Sequence, residues 1–486
     1  MRQLFLWILA ALVVFSQAMT WKSLQRGGNG GLSIYWVTDG NPLRGEQVAL
    51  FKAWLKKRGY PDVALKLDLN NGGLQKTIVQ GVSGTAGDCI DILSQYLGYL
   101  DQMGLVTPVT DLEKTFGYPD RDLFPPLSNY IFAKGKQIGF PCSITITGLL
   151  VNEDAFRSLG LEPPPYLMDF DSFERVGSTY LARARQKNQG PVFFIGAFNQ
   201  EVMRRSVGVS ALNETMTAPA LDRPEYVEVL KRISRWTFDL HLAPSSSELS
   251  SFVTEDGYGG LMPQLLDTGK VALIEAGRNL MILMRQMKVQ HHWNVVLHPC
   301  GDYPNTIATT RAVVLYKGSP NHEAAKYFLG FLRSDEYSAQ MVSQSDAIPP
   351  NPRFMDGEEF LNPRGHENEW PMHAGYRRMA LEHAVPREIS PYALYQNYAR
   401  AETKAWQGFT SHIHSAEETV RQLHRSLAEE ISSFLKSHPE VRPAYEAALE
   451  TQKQIDALKL KGKKIPLDLV DNPFLKRYYR DKGLGI

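Results

Sequence analysis

Apolar and polar residues form alternating blocks along the first hundred residues, and the period of the pattern changes in a regular order. LSIYWV (32–37), VALKLDL (63–69) and DCIDIL (88–93) have the short apolar or period-two patterns of strands. Between them, 44–59 and 72–82 place apolar side chains on one face at helical spacing. The order strand, helix, strand, helix, strand predicts the start of an open, doubly wound α/β sheet.

Later segments continue the mixture of helix and strand. The run 136–161 is β-rich and ends in a helix-like stretch, and 225–242 is amphipathic at helical spacing. GKVALIEAG (269–277) and TIATTRAVVLY (306–316) have strand patterns. The capping box at 415–418 precedes a long helix with a regular apolar face. The whole chain is therefore predicted to be an α/β protein.

Length and charge narrow the class of protein. The chain has 486 residues, which predicts two or three domains, and 43% of them are hydrophobic while 22% are charged. The formal net charge is +1, with 53 basic and 52 acidic residues. A general nucleic-acid binder normally carries a clear basic excess, so no nucleic-acid partner is expected.

The N-terminus has the pattern of an export signal. Arg2 precedes the apolar run 4–15, and a small-x-small site follows at 16–18. This apolar run is shorter than the roughly 20 residues that span a bilayer as a helix. We expect 1–21 to be either a signal peptide or an N-terminal anchor, and 22–31 to be a linker. The protein is then periplasmic or otherwise extracytoplasmic.

The cysteines and histidines form no metal motif. The three cysteines are far apart in sequence: Cys89, Cys142 and Cys300. No C-x-x-C pair occurs, so both one disulfide and buried free thiols remain open. His291, His292 and His298 flank a strand-like segment without an H-E-x-x-H pattern. We expect no cofactor and no metal.

Catalytic signatures are also missing from the sequence. The chain has no G-x-S-x-G, no P-loop and no G-x-G-x-x-G after a strand. Paired carboxylates such as Asp169 and Asp171 would suit a glycosidase, but such pairs have little specificity. The sequence therefore favours a binding protein over an enzyme, and a secreted carbohydrate-active enzyme remains the alternative.

Small polar residues collect where predicted strands end. Thr38, Asp39 and Asn41 follow the first strand, and Asp91 lies near the end of the third. In open α/β sheets the carboxyl ends of the strands form the binding crevice, so these side chains are candidates for ligand contact. The alternative for Asp39 and Asn41 is that they cap the helix that follows.

Five stretches in co-linear order resemble one known family. They are LSIYWVTDGNP, GDCIDILSQY, TGLLVNEDAFRSLGLEPP, GKVALIEAGRN and KGSPNHEAAKYFLGFLRSDEYSAQMV. Together they resemble the extracellular solute-binding proteins of ABC transporters, in the maltose-binding-like carbohydrate branch. The resemblance covers 32–345 and extends more loosely to 435. The family usually has a Trp shortly after Pro-Pro, whereas the nearest aromatic residue at that place in this sequence is Tyr166.

The resemblance implies a two-lobed, periplasmic-binding-protein-like fold with a hinge and doubly wound sheets in both lobes. The N-terminal lobe would hold 32–140 and 305–345, and the C-terminal lobe 145–300 and 350–435. Residues 440–486 would form a helical extension beyond the family's usual end. The protein would be a monomer that captures a carbohydrate, closes by a hinge motion and delivers it to ABC permease subunits driven by a cytoplasmic ATPase.

A sugar needs hydrogen-bonding groups for its hydroxyls and aromatic rings for its C–H faces. On these grounds and on the resemblance, the candidate ligand residues are Thr38, Asp39, Asn41, Asp91, Tyr96, Thr145, Asn199, Glu201, Tyr258, Gly277, Arg278, Arg311 and Trp370. Besides the capping alternative for Asp39 and Asn41, alternatives remain open for three others: helix packing for Tyr96, an ordinary strand position for Thr145, and a structural ion pair for Arg278. Arg204 and Arg205 are expected to be surface charges. A non-sugar ligand is a further alternative.

Overall fold

A computed structural model describes residues 32–69, 73–109, 115–117, 123–133, 135–187, 192–251 and 261–486. The predicted signal or anchor at 1–21, the linker at 22–31 and the candidate Tyr258 lie outside the described residues. Within these ranges, none of the helices combines the length and apolar character needed to cross a bilayer.

The described residues form two main sheets and two smaller ones. The strands are β1 Leu32–Val37, β2 Val63–Asp68, β3 Cys89–Leu93, β4 Val106–Thr107, β5 Phe132–Ala133, β6 Lys136–Gln137, β7 Phe140–Pro141, β8 Thr145–Ile146, β9 Gly148–Asn152, β10 Phe193–Ile195, β11 Val271–Ala276, β12 Trp293–Val296, β13 Thr306–Thr309, β14 Arg311–Tyr316 and β15 Ala384–Pro386.

The N-terminal lobe is built on a six-stranded sheet in the order β2-β1-β3-β14-β4, with β7 also paired to β14. Strand β1 runs parallel to β2 and β3, whereas β14 is antiparallel to β3. The helices of this lobe are Arg44–Arg58, Gly73–Ser83, Leu97–Gln102, His322–Leu332 and Asp335–Ser343. The predicted strand–helix alternation at the start of the chain is confirmed.

Helices cover both faces of this sheet, as apolar strands require. On one face, Phe51 and Trp54 of the first helix pack with Phe328 and Phe331, and the Trp36 and Phe328 rings lie 4.8 Å apart. A second cluster, which includes Leu74, Leu97 and Leu100, covers the other face. Burying each such side chain contributes about 1.5–3 kcal/mol.

The C-terminal lobe has a four-stranded mixed sheet in the order β10-β11-β9-β12. Strand β9 is fully buried and antiparallel to both of its neighbours, while β10 and β11 are parallel. The helices associated with this lobe are Ser128–Ile131, Glu153–Ser158, Phe170–Gln186, Gln200–Ser206, Pro224–Ser234, Ser246–Ser251, Met262–Asp267, Leu280–Gln286, Glu358–Leu361, Trp370–Arg378, Tyr395–Thr410 and Ala416–Ser437. The expected two-lobed α/β architecture is confirmed.

The two lobes are joined by three crossings of the chain. One residue, Thr310, separates β13, which pairs with β8 and β15, from β14 in the N-terminal sheet. The other two crossings pair with each other at Ile144 and Ile348. The Ile144 N–H donates to the Ile348 carbonyl at 2.7 Å, and the Ile348 N–H donates to the Ile144 carbonyl at 3.1 Å. These short paired segments form the hinge.

The C-terminal segment packs on the C-terminal lobe through the helices Arg442–Leu460 and Pro473–Asp481. Its apolar side chains form one cluster with the lobe: Tyr303, Val385, Ile455, Ile465, Val470, Phe474 and Leu475. The buried Glu214 carboxylate binds both Lys459 and the Tyr479 hydroxyl. All three cysteines of the chain are buried free thiols.

The tight packing of the helix Phe170–Gln186 gives a stability prediction. A Cβ on Gly177 would lie 2.6 Å from the buried Phe194 ring and 3.1 Å from Leu242. We expect Gly177→Ala to lower the free energy of unfolding by about 1–3 kcal/mol, because a filled core has no room for the added methyl. Chemical denaturation measures this change.

Gly98→Ala is the matched control, because a Cβ there meets nothing within 4 Å and the residue lies in the helix Leu97–Gln102. Alanine should be neutral there or stabilise by up to about 1 kcal/mol. Equal destabilisation by both substitutions would contradict the packing argument.

Candidate functional site

A small cavity lies between the lobes at the carboxyl edge of the N-terminal sheet. Its volume is about 50 Å³. Four predicted ligand residues line it together: Asp39, Asn41, Thr145 and Arg311. Asn279 contributes from the C-terminal lobe. The sequence-based expectation that distant strand ends meet at one gap therefore holds for this group.

Arg311 connects the polar side chains of two strand ends. One guanidinium nitrogen binds the Asp39 carboxylate, and the other lies 3.1 Å from the Asp91 carboxylate. Asp91 has no exposed side-chain surface, and it also accepts hydrogen bonds from the Trp36 indole at 2.9 Å and from the Thr38 hydroxyl. Thr38 and Asp91 thus lie behind the cavity wall and orient Arg311, which is partly exposed.

Arg44 extends this ion-pair network along the cavity. Its Nε lies 2.9 Å from Asp39, and its Nη1 lies 3.9 Å from the buried Asp346. Burial by itself raises the pKa of Asp39, but Arg44 and Arg311 outweigh this effect and hold that pKa below its ordinary value. Burial raises the pKa of Asp346, because the nearby arginines offset desolvation only in part.

The turn after β1 also fits the capping alternative in part. The Asn41 side chain accepts a hydrogen bond from the Leu43 N–H at 2.9 Å, and Asp39 accepts one from the Asn41 N–H at 3.4 Å. These bonds shape the entry to the helix Arg44–Arg58. Asp39 and Asn41 therefore serve the turn while they line the cavity.

A larger cavity of about 270 Å³ is lined by residues of both lobes. Ser94 lines it and is hydrogen-bonded to Thr310, the residue before Arg311 of the small cavity. Its other aromatic and polar lining residues are Gln95, Tyr99, Asp101, Gln102, Asn129, Tyr130, Phe132, Ser390 and Tyr395, and the rest of its lining is glycine or apolar. The two cavities share no lining residue but are linked through Ser94 and Thr310, and together we call them the interlobe groove.

Tyr96 lies beside this larger cavity, where its ring centroid is 6.0 Å from that of Tyr395. Tyr96 belongs to the N-terminal lobe and Tyr395 begins a helix of the C-terminal lobe, so this pair spans the groove. The buried Gln95 side-chain oxygen has no hydrogen-bond partner in the described part of the chain. An unpaired buried acceptor at a cavity is suited to a ligand hydroxyl.

Glu201 takes part in a charged cluster on the C-terminal lobe. It binds Arg205 at 2.9 Å and Arg387 at 3.2 Å, and Arg387 also binds the Tyr395 hydroxyl at 2.6 Å. Desolvation raises the pKa of Glu402 to about 7, and Glu201 adds to the increase. Glu201 thus connects to the groove through Arg387 and Tyr395.

Asn199 has a structural task at the start of its helix. Its side-chain oxygen accepts a hydrogen bond from the Val202 N–H at 3.1 Å, and its amide donates to Glu275 at 2.6 Å. His298 lies 3.8 Å from the same carboxylate, is 1% exposed and has no partner at either ring nitrogen in the described residues. The sequence pattern indicated His298 only as a possible metal ligand and not as a buried polar group.

Arg278 does not reach into the groove as a free donor, which corrects the sequence-based expectation. All five of its N–H groups point at protein acceptors, and the residue is 2% exposed. Three of these acceptors are backbone carbonyls, of Met341, Val342 and Ala347. The sequence could not show this, because those partners lie more than 60 residues away.

Two further candidates have backbone or peripheral positions. A Cβ on Gly277 would lie 2.7 Å from the Asn279 side chain and 3.6 Å from Thr145, so glycine permits close packing beside the small cavity. Trp370 is 38% exposed and its indole donates to the Pro363 carbonyl. It does not line either cavity of the groove.

The expectation that Arg204 and Arg205 are surface charges is wrong. They are 3% and 0% exposed, and both bind the buried Glu388 carboxylate at 3.0 Å. A charge this deep needs such a partner, and Glu388 is remote in sequence. Among the described residues, no group of three or more His, Cys, Asp or Glu is placed to hold a metal ion.

A family model for bacterial extracellular solute-binding proteins matches residues 56–365. A protein of Brucella abortus (strain 2308) named as a binding protein is 22% identical over 295 residues, which are 60% of this chain and 68% of that protein. A Brucella suis protein of the same description matches equally.

Solved structures share the fold. An ABC substrate-binding protein of Listeria monocytogenes, in complex with cycloalternan, superposes with a TM-score of 0.70 at 18% identity, covering 83% of this chain and 99% of that one. A solute-binding protein of Thermotoga lettingae, bound with α-D-tagatose, gives 0.68 at 16% identity, covering 82% and 100%.

The buried His373 gives a prediction about pH. Its Nδ1 accepts from Arg278 at 3.1 Å, and its Nε2 lies 3.2 Å from Glu369. Burial lowers the pKa of His373 to about 4 from 6.5. Protonation of this ring is therefore less favourable in the folded than in the unfolded protein. The free energy of unfolding should be unaffected by His373 above pH 6.5 and should decrease as the pH falls towards 4, by at most about 3 kcal/mol.

His373→Gln keeps one acceptor and one donor but does not titrate. Melting temperatures measured from pH 7 to pH 4 should fall less steeply for this variant than for the wild type. His241→Gln, at an exposed position, should keep the wild-type slope. Identical slopes for the wild type and His373→Gln would contradict the assignment.

Proposed function

The chain belongs to the bacterial extracellular solute-binding proteins, and from this premise we propose that its solute is a mono- or oligosaccharide held in the interlobe groove. Family membership places the protein outside the cytoplasm. In the proposal it acts as a monomer and hands the sugar to ABC permease subunits whose ATPase works in the cytoplasm. Its N-terminal segment either is removed on export or anchors it to the membrane.

The observation that carries this proposal is the lining of the 270 Å³ cavity. Tyrosines from both lobes, Tyr99, Tyr130 and Tyr395, stand beside side-chain amides and the Asp101 carboxylate. Rings offer flat apolar faces, while amides and carboxylates accept and donate to hydroxyls, which is the combination a sugar requires. The volume is at the small end for ligand pockets, so this arrangement of the lobes suits a small sugar.

The paired arginines beside the groove argue against an anionic ligand. Arg44 and Arg311 are both paired with carboxylates, so neither is left as a free cation for a phosphate. The structurally similar proteins of Listeria and Thermotoga were solved with a saccharide and with tagatose. Carriers of the same fold with sugar ligands support the same class of ligand here.

Thermal stability in the presence of sugars tests the proposal. D-tagatose, maltose and maltotetraose are each titrated, and calorimetry follows any shift. A sugar at 100 times its Kd should add about 2.7 kcal/mol to the free energy of unfolding. Chromatography should recover the sugar unchanged.

Two results would contradict the proposal in different ways. Stabilisation by phosphate or a polyamine but by none of the sugars would indicate a non-sugar receptor. Conversion of the sugar would indicate a carbohydrate-active enzyme.

A substitution at the aromatic wall tests the site itself. Tyr395→Ala removes a ring from the larger cavity and should weaken binding of a stabilising sugar about tenfold or more, because buried aromatic residues dominate such contacts. Tyr35→Ala, at a 47% exposed ring on the N-terminal sheet, is the control and should leave Kd unchanged. Equal affinity of Tyr395→Ala and the wild type would remove this wall from the site.

A further inference from the structure

Arg278 joins the C-terminal lobe to the end of a helix of the N-terminal lobe. It precedes the helix Leu280–Gln286 and donates to the carbonyls of Met341 at 3.3 Å, Val342 at 3.0 Å and Ala347 at 2.9 Å. Carbonyls at a helix C-terminus have no intrahelical donor, so a guanidinium is a suitable partner. One side chain thus holds both ends of the crossing segment 341–347.

Residues of the C-terminal lobe hold the Arg278 guanidinium in place. Its guanidinium lies 4.3 Å from the centre of the Phe360 ring, and His373 accepts from its Nε. Arg285 makes a parallel connection, since it binds Glu369 and also donates to the Ser343 carbonyl at 3.2 Å. The position of the crossing segment is therefore set by two arginines of one lobe.

The segment itself is strained. Ser345 has φ +56° and Ala347 has φ +37°. Left-handed backbone is unfavourable for residues with a Cβ and persists only when the surroundings impose it. The C-cap of the helix Asp335–Ser343 accounts for Ser345, since the Ser345 N–H donates to the Val342 carbonyl at 3.2 Å and the Asp346 N–H to the Met341 carbonyl at 3.1 Å. Arg278 adds a bond to the Ala347 carbonyl at 2.9 Å and one to the Ser345 hydroxyl at 3.4 Å.

Asp346 lies between these two strained residues and faces the other way. Its carboxylate lines the 50 Å³ cavity of the groove, 3.5 Å from the amides of Asn41 and Gln47. Ser345 and Ala347 therefore bind Arg278 of the C-terminal lobe, while Asp346 between them lines the groove and contacts the N-terminal lobe.

We propose that Arg278 is a positioning residue for solute capture. It holds the strained segment 341–347 in place across the two lobes. Asp346 of this segment therefore lines the groove in the arrangement of the lobes described here and leaves that position when the lobes move apart. The backbone strain of the segment opposes this arrangement, and the four hydrogen bonds from Arg278 to residues of 341–347 favour it. Solute binding at the groove and lobe closure are coupled through these residues. The binding part of this inference rests on the proposed function, whereas the coupling of Arg278 to lobe position does not.

Ala347→Gly and Arg278→Gln should change affinity in opposite directions. Glycine at 347 removes the strain and should tighten binding of maltose, or of whichever test sugar binds, by about fivefold. Arg278→Gln loses most of the bonds to the carbonyls and should weaken it at least tenfold. Lys288→Gly, at an exposed residue with φ +58° outside the segment, relieves similar strain and should leave Kd unchanged.

A merely structural role for Arg278 predicts a different outcome. Gly177→Ala, which destabilises the same lobe away from the hinge, should lower the melting temperature without changing Kd. If Arg278→Gln behaves like Gly177→Ala, the proposal is overturned. If Arg278→Gln does not fold, Ala347→Gly decides, and an unchanged affinity there overturns the proposal.

Lobe position is measured separately in the sugar-free protein. Spin labels at Lys56→Cys and Lys436→Cys, exposed positions on the two lobes, report the interlobe distance by pulsed electron resonance. Ala347→Gly should increase the population at the interlobe distance of the arrangement described here, and Arg278→Gln should decrease it. Unchanged distances in both variants overturn the inference, whereas a wild type that binds no sugar but shows these shifts refutes only the sugar assignment.

Discussion

A carboxylate without any contact with water organises the groove edge of the N-terminal lobe. Asp91 on β3 is neutralised by Arg311 from β14 and receives hydrogen bonds from Trp36 and Thr38 of β1 and its turn. A buried charge without partners would cost several kcal/mol, so the three strand ends are held together. The same arginine then reaches Asp39, which places a balanced pair of charges at the wall of the groove.

This constraint explains why the small cavity is polar and yet electrically balanced. Each arginine beside it already has a carboxylate partner, whereas the larger cavity is lined by tyrosines, amides, serines, apolar side chains and the Asp101 carboxylate. An anionic solute would have to break one of the arginine pairs and leave a buried partner uncompensated, whereas a neutral polyol exchanges hydrogen bonds only. The chemistry of the site therefore follows from the way in which the sheet is closed.

The sequence predicted those parts of the site that depend on local pattern. Asp39, Asn41 and Arg311 meet because strand ends gather at one edge of a sheet, a rule that periodicity alone can apply. It was wrong about Arg204 and Arg205, and about Arg278, because burial of a long charged side chain depends on a partner remote in the chain. Nothing in the sequence indicated the tyrosine wall at Tyr395, which only the packing of the lobes brings to the groove.

The single residue between β13 and β14 limits how the molecule can deform. Because Thr310 separates two ladders that belong to different lobes, each ladder can rotate as a unit without giving up its own backbone hydrogen bonds. The rotation of one lobe against the other is then absorbed by the few backbone dihedral angles around Thr310. A carrier of this kind can change shape at almost constant secondary structure, so the energy that separates its states resides in side-chain contacts and in the few residues between the ladders rather than in the sheets.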